Sequence, residues 1–157
     1  MALTDTLDLA DDLAAALAES RARTLSLVAP YDDATLRRQH DPLMSPLVWD
    51  LAHVANYEDV WLVRALGGAP TREGIDDLYD AFKQPRKVRE ALPLLSPTQA
   101  RRYGDAVRAR AFERLAGADL RPDGANPLLH RGFVHAMVVQ HEHQHAETML
   151  ATIQLLP

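Results

Sequence analysis

Three histidines stand in one short run near the C-terminal end, Gln140-His-Glu-His-Gln-His-Ala-Glu147. On a helix, His141 and His145 fall one turn apart on the same face, about 6 Å along the axis. Two imidazoles at that spacing can share one metal ion. His143 is turned by about 200° from His141 and points away. The run therefore offers a paired ligand and a bystander, and it needs a third ligand from elsewhere. Glu147 is excluded by helix phase, lying more than about 100° from either ligand histidine. Glu142, about 100° from His141, suits a hydrogen bond to a ligand better than a bond to the metal.

The third ligand is sought in Ser45-Pro-Leu-Val-Trp-Asp-Leu-Ala-His-Val-Ala-Asn-Tyr-Glu-Asp-Val-Trp61, where His53 lies mid-helix a turn after Trp49. Ala52 and Ala55 beside it would admit a second helix. His130 returns to the His141 face but three turns away, about 16 Å. His135 lies off the stripe and His40 in a loop, so all three are set aside. Three histidines from two helices leave coordination positions open, as in catalytic sites, and admit zinc with a bound water or non-haem iron. The plainer alternative, imidazoles hydrogen-bonded to neighbours or exposed, stays open on the residues alone. A second cluster is Lys83-Gln-Pro-Arg86-Lys87-Val-Arg89. Arg86 and Arg89, three apart on a short helix, share a face and could clamp a carboxylate-bearing substrate. The alternative is a solvated basic patch balancing Asp76, Asp77 and Asp80.

The elements that must hold these residues are helices separated by proline. The first is expected from about Thr4 to Val28, with Leu3, Leu7, Leu13, Leu17 and Leu25 near helical spacing and Asp5, Asp8, Asp11 and Asp12 suiting its start. Pro30 ends it. Three later helices open with a capping residue followed by proline: Ser45-Pro46, running to about Leu66 before Gly67-Gly68; Ser96-Pro97, running to about Ala116 before Gly117; and Asn126-Pro127, which begins the histidine helix. On that last helix Val134, Val138, His141, His145, Thr148 and Thr152 form one inward stripe. Between the second and third lies an irregular stretch with a short helix near Ile75–Phe82. No period-2 alternation occurs, so no sheet is expected. Four amphipathic helices imply an all-α four-helix bundle, and the connection through residues 67–95 is long enough to cross it.

At 157 residues, with 47% hydrophobic and 25% charged residues, the chain suits one soluble domain over residues 1–157. A net charge of −5 with no strongly basic face argues against nucleic acid as a partner. Cysteine is absent, which excludes disulfides and thiolate ligands, so any metal is held by nitrogen and oxygen. No signal peptide and no membrane-length apolar run is apparent, and a cytoplasmic location is expected.

Met44-Ser-Pro-Leu-Val-Trp-Asp-Leu-Ala-His53, Tyr57-Glu-Asp-Val-Trp-Leu62 and His141-Glu-His-Gln-His-Ala-Glu-Thr-Met-Leu150 resemble the N-terminal DinB-like domain of the ergothioneine-biosynthetic sulfoxide synthases. The likeness extends through Asp77-Leu-Tyr-Asp-Ala-Phe82 and Pro85-Arg86. It implies a DinB-like bundle holding Fe(II) through His53, His141 and His145. It also implies O₂-dependent joining of a thiol, γ-glutamylcysteine or cysteine, to the imidazole of trimethylhistidine (hercynine), with oxidation of the sulfur to a sulfoxide. Gln144 matches a position near the histidine-derived substrate, and Arg86 and Arg89 match the region that meets the thiol's carboxylates. Ala146 departs from a commonly acidic position. Family members usually continue into a formylglycine-generating-enzyme-like domain that supplies a catalytic tyrosine. That domain is absent from these residues, so a fragment, a truncated product or a stand-alone relative with a partner chain is expected. Two other readings compete: a stand-alone DinB-like thiol transferase or isomerase using zinc or another divalent ion, and a non-enzymatic bundle that forms a homodimer through apolar faces.

Overall fold

The segments with helical periodicity form helices, and no strand occurs among the described residues. The computed structural model describes residues 2–156, with side chains from residue 8 onward. Leu3 and Leu7 of the predicted stripe, and Asp5 of the predicted helix start, therefore lie outside the described side chains. In chain order the α-helices are α1 (Ala2–Val28), α2 (Asp33–Arg37), α3 (Leu47–Glu58), α4 (Asp76–Tyr79), α5 (Pro97–Ala116) and α6 (Phe133–Ile153). α3 runs on into a π-helical turn, Asp59–Arg64, and short 3₁₀ segments cover Arg86–Ala91 and Pro127–Gly132. None of the helices described is long and apolar enough to cross a membrane.

The long helices α1, α3, α5 and α6 make the body. α3 packs on α5, α1 on α6, and the two pairs meet through α3 with α6 and α1 with α5. Gly132 lies by Leu13 and Glu142 by Arg21, so α1 and α6 run parallel. Asn56 meets Tyr103 and Glu58 meets Arg108, so α3 and α5 run parallel too. Across the pairs, Asp50 meets His145 and Tyr57 meets His141, which makes α3 and α6 antiparallel. Two parallel neighbours that follow one another in sequence need a connection returning along the bundle. The stretch between α3 and α5 makes that return, as the expected crossover. It is tied to α3 where Trp49 Nε1 donates to the Leu78 carbonyl at 3.2 Å, and to the π turn where Arg64 holds both Asp76 oxygens at 2.7 and 2.8 Å.

Each long helix sends one charged side chain to the same buried point. Arg21 of α1 and Arg108 of α5 alternate with Glu58 of α3 and Glu142 of α6. Arg21 reaches Glu142 at 2.7 Å and Glu58 at 2.9 Å, while Arg108 reaches Glu58 at 2.6 Å and Glu142 at 3.1 Å. Arg108 also donates to the Leu17 carbonyl, and Ser20 to Glu142. Burial works against the charge of Arg21, but the two glutamates outweigh it and raise its pKa. Gly104 makes the space: a Cβ there would stand 2.6 Å from Arg21 Nη1.

Local starts and stops differ from the sequence expectation in instructive ways. Ser96 caps α5 as expected, in a full capping box with Gln99. Ser45 does not cap α3, which follows Pro46 without a side-chain cap; the Ser45 hydroxyl instead accepts from Arg89 at 2.6 Å. Asn126 caps only the 3₁₀ segment, where His130 and Arg131 leave helical geometry and the Arg131 N–H binds the Leu120 carbonyl. α6 starts after Gly132, whose left-handed φ of 72° and missing Cβ let the chain turn against Leu13. The short helix expected over Ile75–Phe82 is confined to α4, because Asp80 turns extended and its carboxylate binds the Phe82 N–H.

His135, set aside on sequence grounds, is fully buried, and neither ring nitrogen has a hydrogen-bond partner among the described residues. Burial pushes its pKa down from 6.5 to about 4. The unfolded chain then binds the extra proton between those values, so this contribution to stability is complete above pH 6.5 and is lost as pH falls towards 4. Replacing His135 by Leu should flatten the decline of the urea midpoint below pH 6.5, as titrated on metal-free protein. Glu142→Leu, which leaves two buried guanidinium groups sharing the one carboxylate of Glu58, should cost about 3–5 kcal/mol in the same unfolding experiment at neutral pH.

Candidate metal centre

α3 is buried on nearly every side from Leu47 to Asn56, which fixes its side chains firmly. Trp49, His53 and Tyr57 follow one another at four-residue intervals and so share one face. α6, antiparallel beside it, turns His141 and His145 towards that face. The three imidazoles meet: one ligand nitrogen from each of His53, His141 and His145 lies within 4.8 Å of the others. The expected triad is thus brought together from two helices almost ninety positions apart. Its ring centroids are 4.5 to 5.1 Å apart.

Two of the rings are held by acceptors. His53 Nδ1 donates to the Tyr79 carbonyl at 2.7 Å, and His145 Nδ1 donates to Asp50 Oδ1 at 2.9 Å. Each contact puts the proton on Nδ1 and leaves Nε2 as the free donor to a metal. Glu142, expected to support a ligand, is instead committed to the buried charge cluster, and Asp50 takes the supporting role. Burial, then the adjacent His145, pushes His53 down to about 4; burial, with His145 and His53 adding, pushes His141 to about 3. Both are therefore neutral at pH 7, the protonation state a metal requires. Asp50 is buried, and its Oδ2 has no hydrogen-bond partner among the described residues, so one carboxylate oxygen is left unengaged behind His145. Imidazole nitrogens that converge, with a buried carboxylate behind one of them, fit a divalent cation.

The triad lies in the wall of a cavity of about 620 Å³. The cavity is also lined by the π turn and the crossover, including Val60, Arg64, Asp76, Asp80 and Phe82. Phe82 is 101% exposed in this lining, an aromatic ring with no cover of its own. Gln144 is exposed and lines a second groove that shares His141 and Tyr57 with the cavity and adds Phe133 and Met137. Arg86 and Arg89 are not among the cavity-lining residues. Arg86 is exposed and donates to the Leu43 carbonyl at 3.1 Å. Arg89 is buried, with its guanidinium 3.5 Å from the centroid of the Trp49 ring and further bonds to Ser45 and the Gln84 carbonyl. Burial lowers its pKa to about 10. Trp49 in turn stacks on His53 at 4.6 Å, so Arg89 supports the triad through one intervening ring. His130 and His40 bind backbone carbonyls, of Gly124 and Thr35, and Glu147 is exposed.

Residues 16–149 match the DinB superfamily, and the chain belongs to that superfamily. Among curated proteins, hercynine oxygenase of Mycolicibacterium thermoresistibile is 51% identical over 149 residues, covering 92% of this chain and 31% of the relative. Hercynine oxygenases of Mycobacterium tuberculosis and Mycolicibacterium smegmatis are 50% and 49% identical over 150 residues, covering 92% of this chain and 33% and 32% of those proteins. The chain spans about a third of the length of the curated relatives it matches.

If Asp50 orients His145, Asp50→Asn should weaken binding of Zn²⁺ by about tenfold or more, the usual cost of losing a ligand's supporting partner. Isothermal titration of the metal-free protein checks this, with unchanged affinity counting against the assignment.

Proposed function

We propose that this chain is the iron-binding domain of a non-haem Fe(II), O₂-dependent sulfoxide synthase that joins a thiol, γ-glutamylcysteine or cysteine, to hercynine in ergothioneine biosynthesis. The observation that carries the reading is the convergence of His53, His141 and His145 within 4.8 Å at a cavity wall. Relatives named hercynine oxygenase, about half identical to this chain, supply the substrate class. Iron held by the three histidines would supply dioxygen activation at its open positions. The chain's own residues set the stage for that chemistry. The Tyr79 carbonyl and the Asp50 carboxylate hold Nδ1 protons, so that Nε2 of His53 and of His145 is kept as a ligand. The cavity wall of Val60, Arg64 and Phe82 bounds the space in which substrate lies.

Gln144 is assigned to the hercynine side on its family match; it lines a groove with His141 and Tyr57. Arg86 and Arg89 are assigned to the carboxylates of the thiol on their family match. Only Arg86 stands exposed to receive one; Arg89 would act with the nitrogen not bonded to Ser45 or Gln84. The catalytic tyrosine of this reading lies in a formylglycine-generating-enzyme-like domain, the counterpart of the relatives' length that this chain does not span. The setting is cytoplasmic, with small-molecule substrates.

Anaerobic titration should give one Fe(II) per chain, and His141→Ala should abolish it. Sulfoxide formation from hercynine and γ-glutamylcysteine should consume O₂ and require the remaining two thirds of the relatives' length. Absence of iron uptake, or thiol turnover by this chain without oxygen, would count against iron and favour a zinc-type thiol transferase.

A further inference from the structure

The three candidate ligands are not held alike. His53 and His145 each donate Nδ1 to an oxygen, at 2.7 and 2.9 Å. His141 makes no hydrogen bond to a described residue. Its ring instead lies face to face with that of Tyr57, with centroids 3.6 Å apart and planes 11° from parallel. Tyr57 follows His53 by one turn on α3, just as Trp49 precedes it by one turn and stacks on it at 4.6 Å and 14°. One face of α3 thus presents an aromatic ring, a ligand and an aromatic ring in succession. The first ring lies on the helix's own ligand and the second on a ligand from α6.

We infer that Tyr57 is the positioning residue of His141, orienting its ring by stacking where the other two ligands are oriented by oxygen acceptors; this rests on the three-histidine metal site proposed above. The physical reason for a stack at this position is electronic as well as steric. A cation bound to an imidazole draws density from its π system, and an electron-rich phenol face lying parallel to it then becomes more favourable. Stacking fixes the plane of the ring without choosing which nitrogen carries the proton. His141 is consequently the one ligand whose tautomer is set by the metal itself. The Tyr57 hydroxyl bonds to no described residue, so the ring rather than the oxygen does the orienting.

The test is Co²⁺ titration of the chain, following affinity and the visible spectrum, which reports ligand geometry. Tyr57→Phe should bind within about twofold of wild type with the same spectrum, whereas Tyr57→Leu should lose about tenfold in affinity and shift the spectrum. Thermal melts of the metal-free proteins establish that each is folded, and Tyr57→Met stands in if the leucine variant is not. Wild-type affinity and spectrum in the ringless variant would overturn the inference, as would a phenylalanine variant that falls as far as leucine. A wild-type chain that takes up no cobalt would instead remove the metal site itself.

Discussion

The buried quartet of Arg21, Glu58, Arg108 and Glu142 is the interaction on which the rest of this fold depends. Charges inside a protein are tolerable only when paired, and here each carboxylate meets both guanidinium groups. Because the four come from four different helices, the quartet sets the height of every long helix against the others. Apolar packing alone is more permissive, since ridges and grooves repeat along a helix. On α3 the quartet residue Glu58 directly follows Tyr57, and on α6 Glu142 directly follows His141. Each helix turns one residue to the charges and the preceding one to the metal centre. A shift of either helix by one turn would separate His53 from its partners before it disturbed much apolar contact.

A second constraint is the parallel run of α3 and α5. It obliges the chain to travel back along the bundle, and that returning stretch lines part of the cavity. The π turn at Asp59–Arg64 contributes at the same place, since its wider coil brings Val60 and Arg64 to the cavity side. π turns of this kind recur at functional sites in helical proteins.

Much of this was legible in the residues. Proline after a capping residue marked the start of α5, and the four-residue spacing of His141 and His145 gave a correct face without any knowledge of packing. His53 could be picked out because alanines flank it in a helix otherwise rich in large residues. The quartet is not legible in the sequence: nothing local marks Glu58 or Arg108, and only their inward phase, visible once all four helices are aligned, sets them apart. Glu142 was misassigned for the same reason, because its partners lie on α1 and α5 rather than in the histidine run. The start of α6 was misplaced because the turn at Arg131 and Gly132 depends on contact with Leu120 and Leu13, distant in sequence. Arg89 read as a surface clamp because nothing local reveals that Trp49 lies beneath it.

Tyr79 joins the two halves of this architecture in a single residue. Its carbonyl accepts a hydrogen bond from His53 Nδ1, and its hydroxyl accepts one from the Leu95 N–H, at 2.9 Å, where the chain turns into α5. The crossover is thereby clamped at the metal centre and at the entry to its next helix by the same side chain and its own backbone. Order in that stretch and order in the triad are one equilibrium seen from two ends. Whatever steadies His53 also steadies this part of the cavity's lining, and a loosened lining gives His53 back its freedom to rotate.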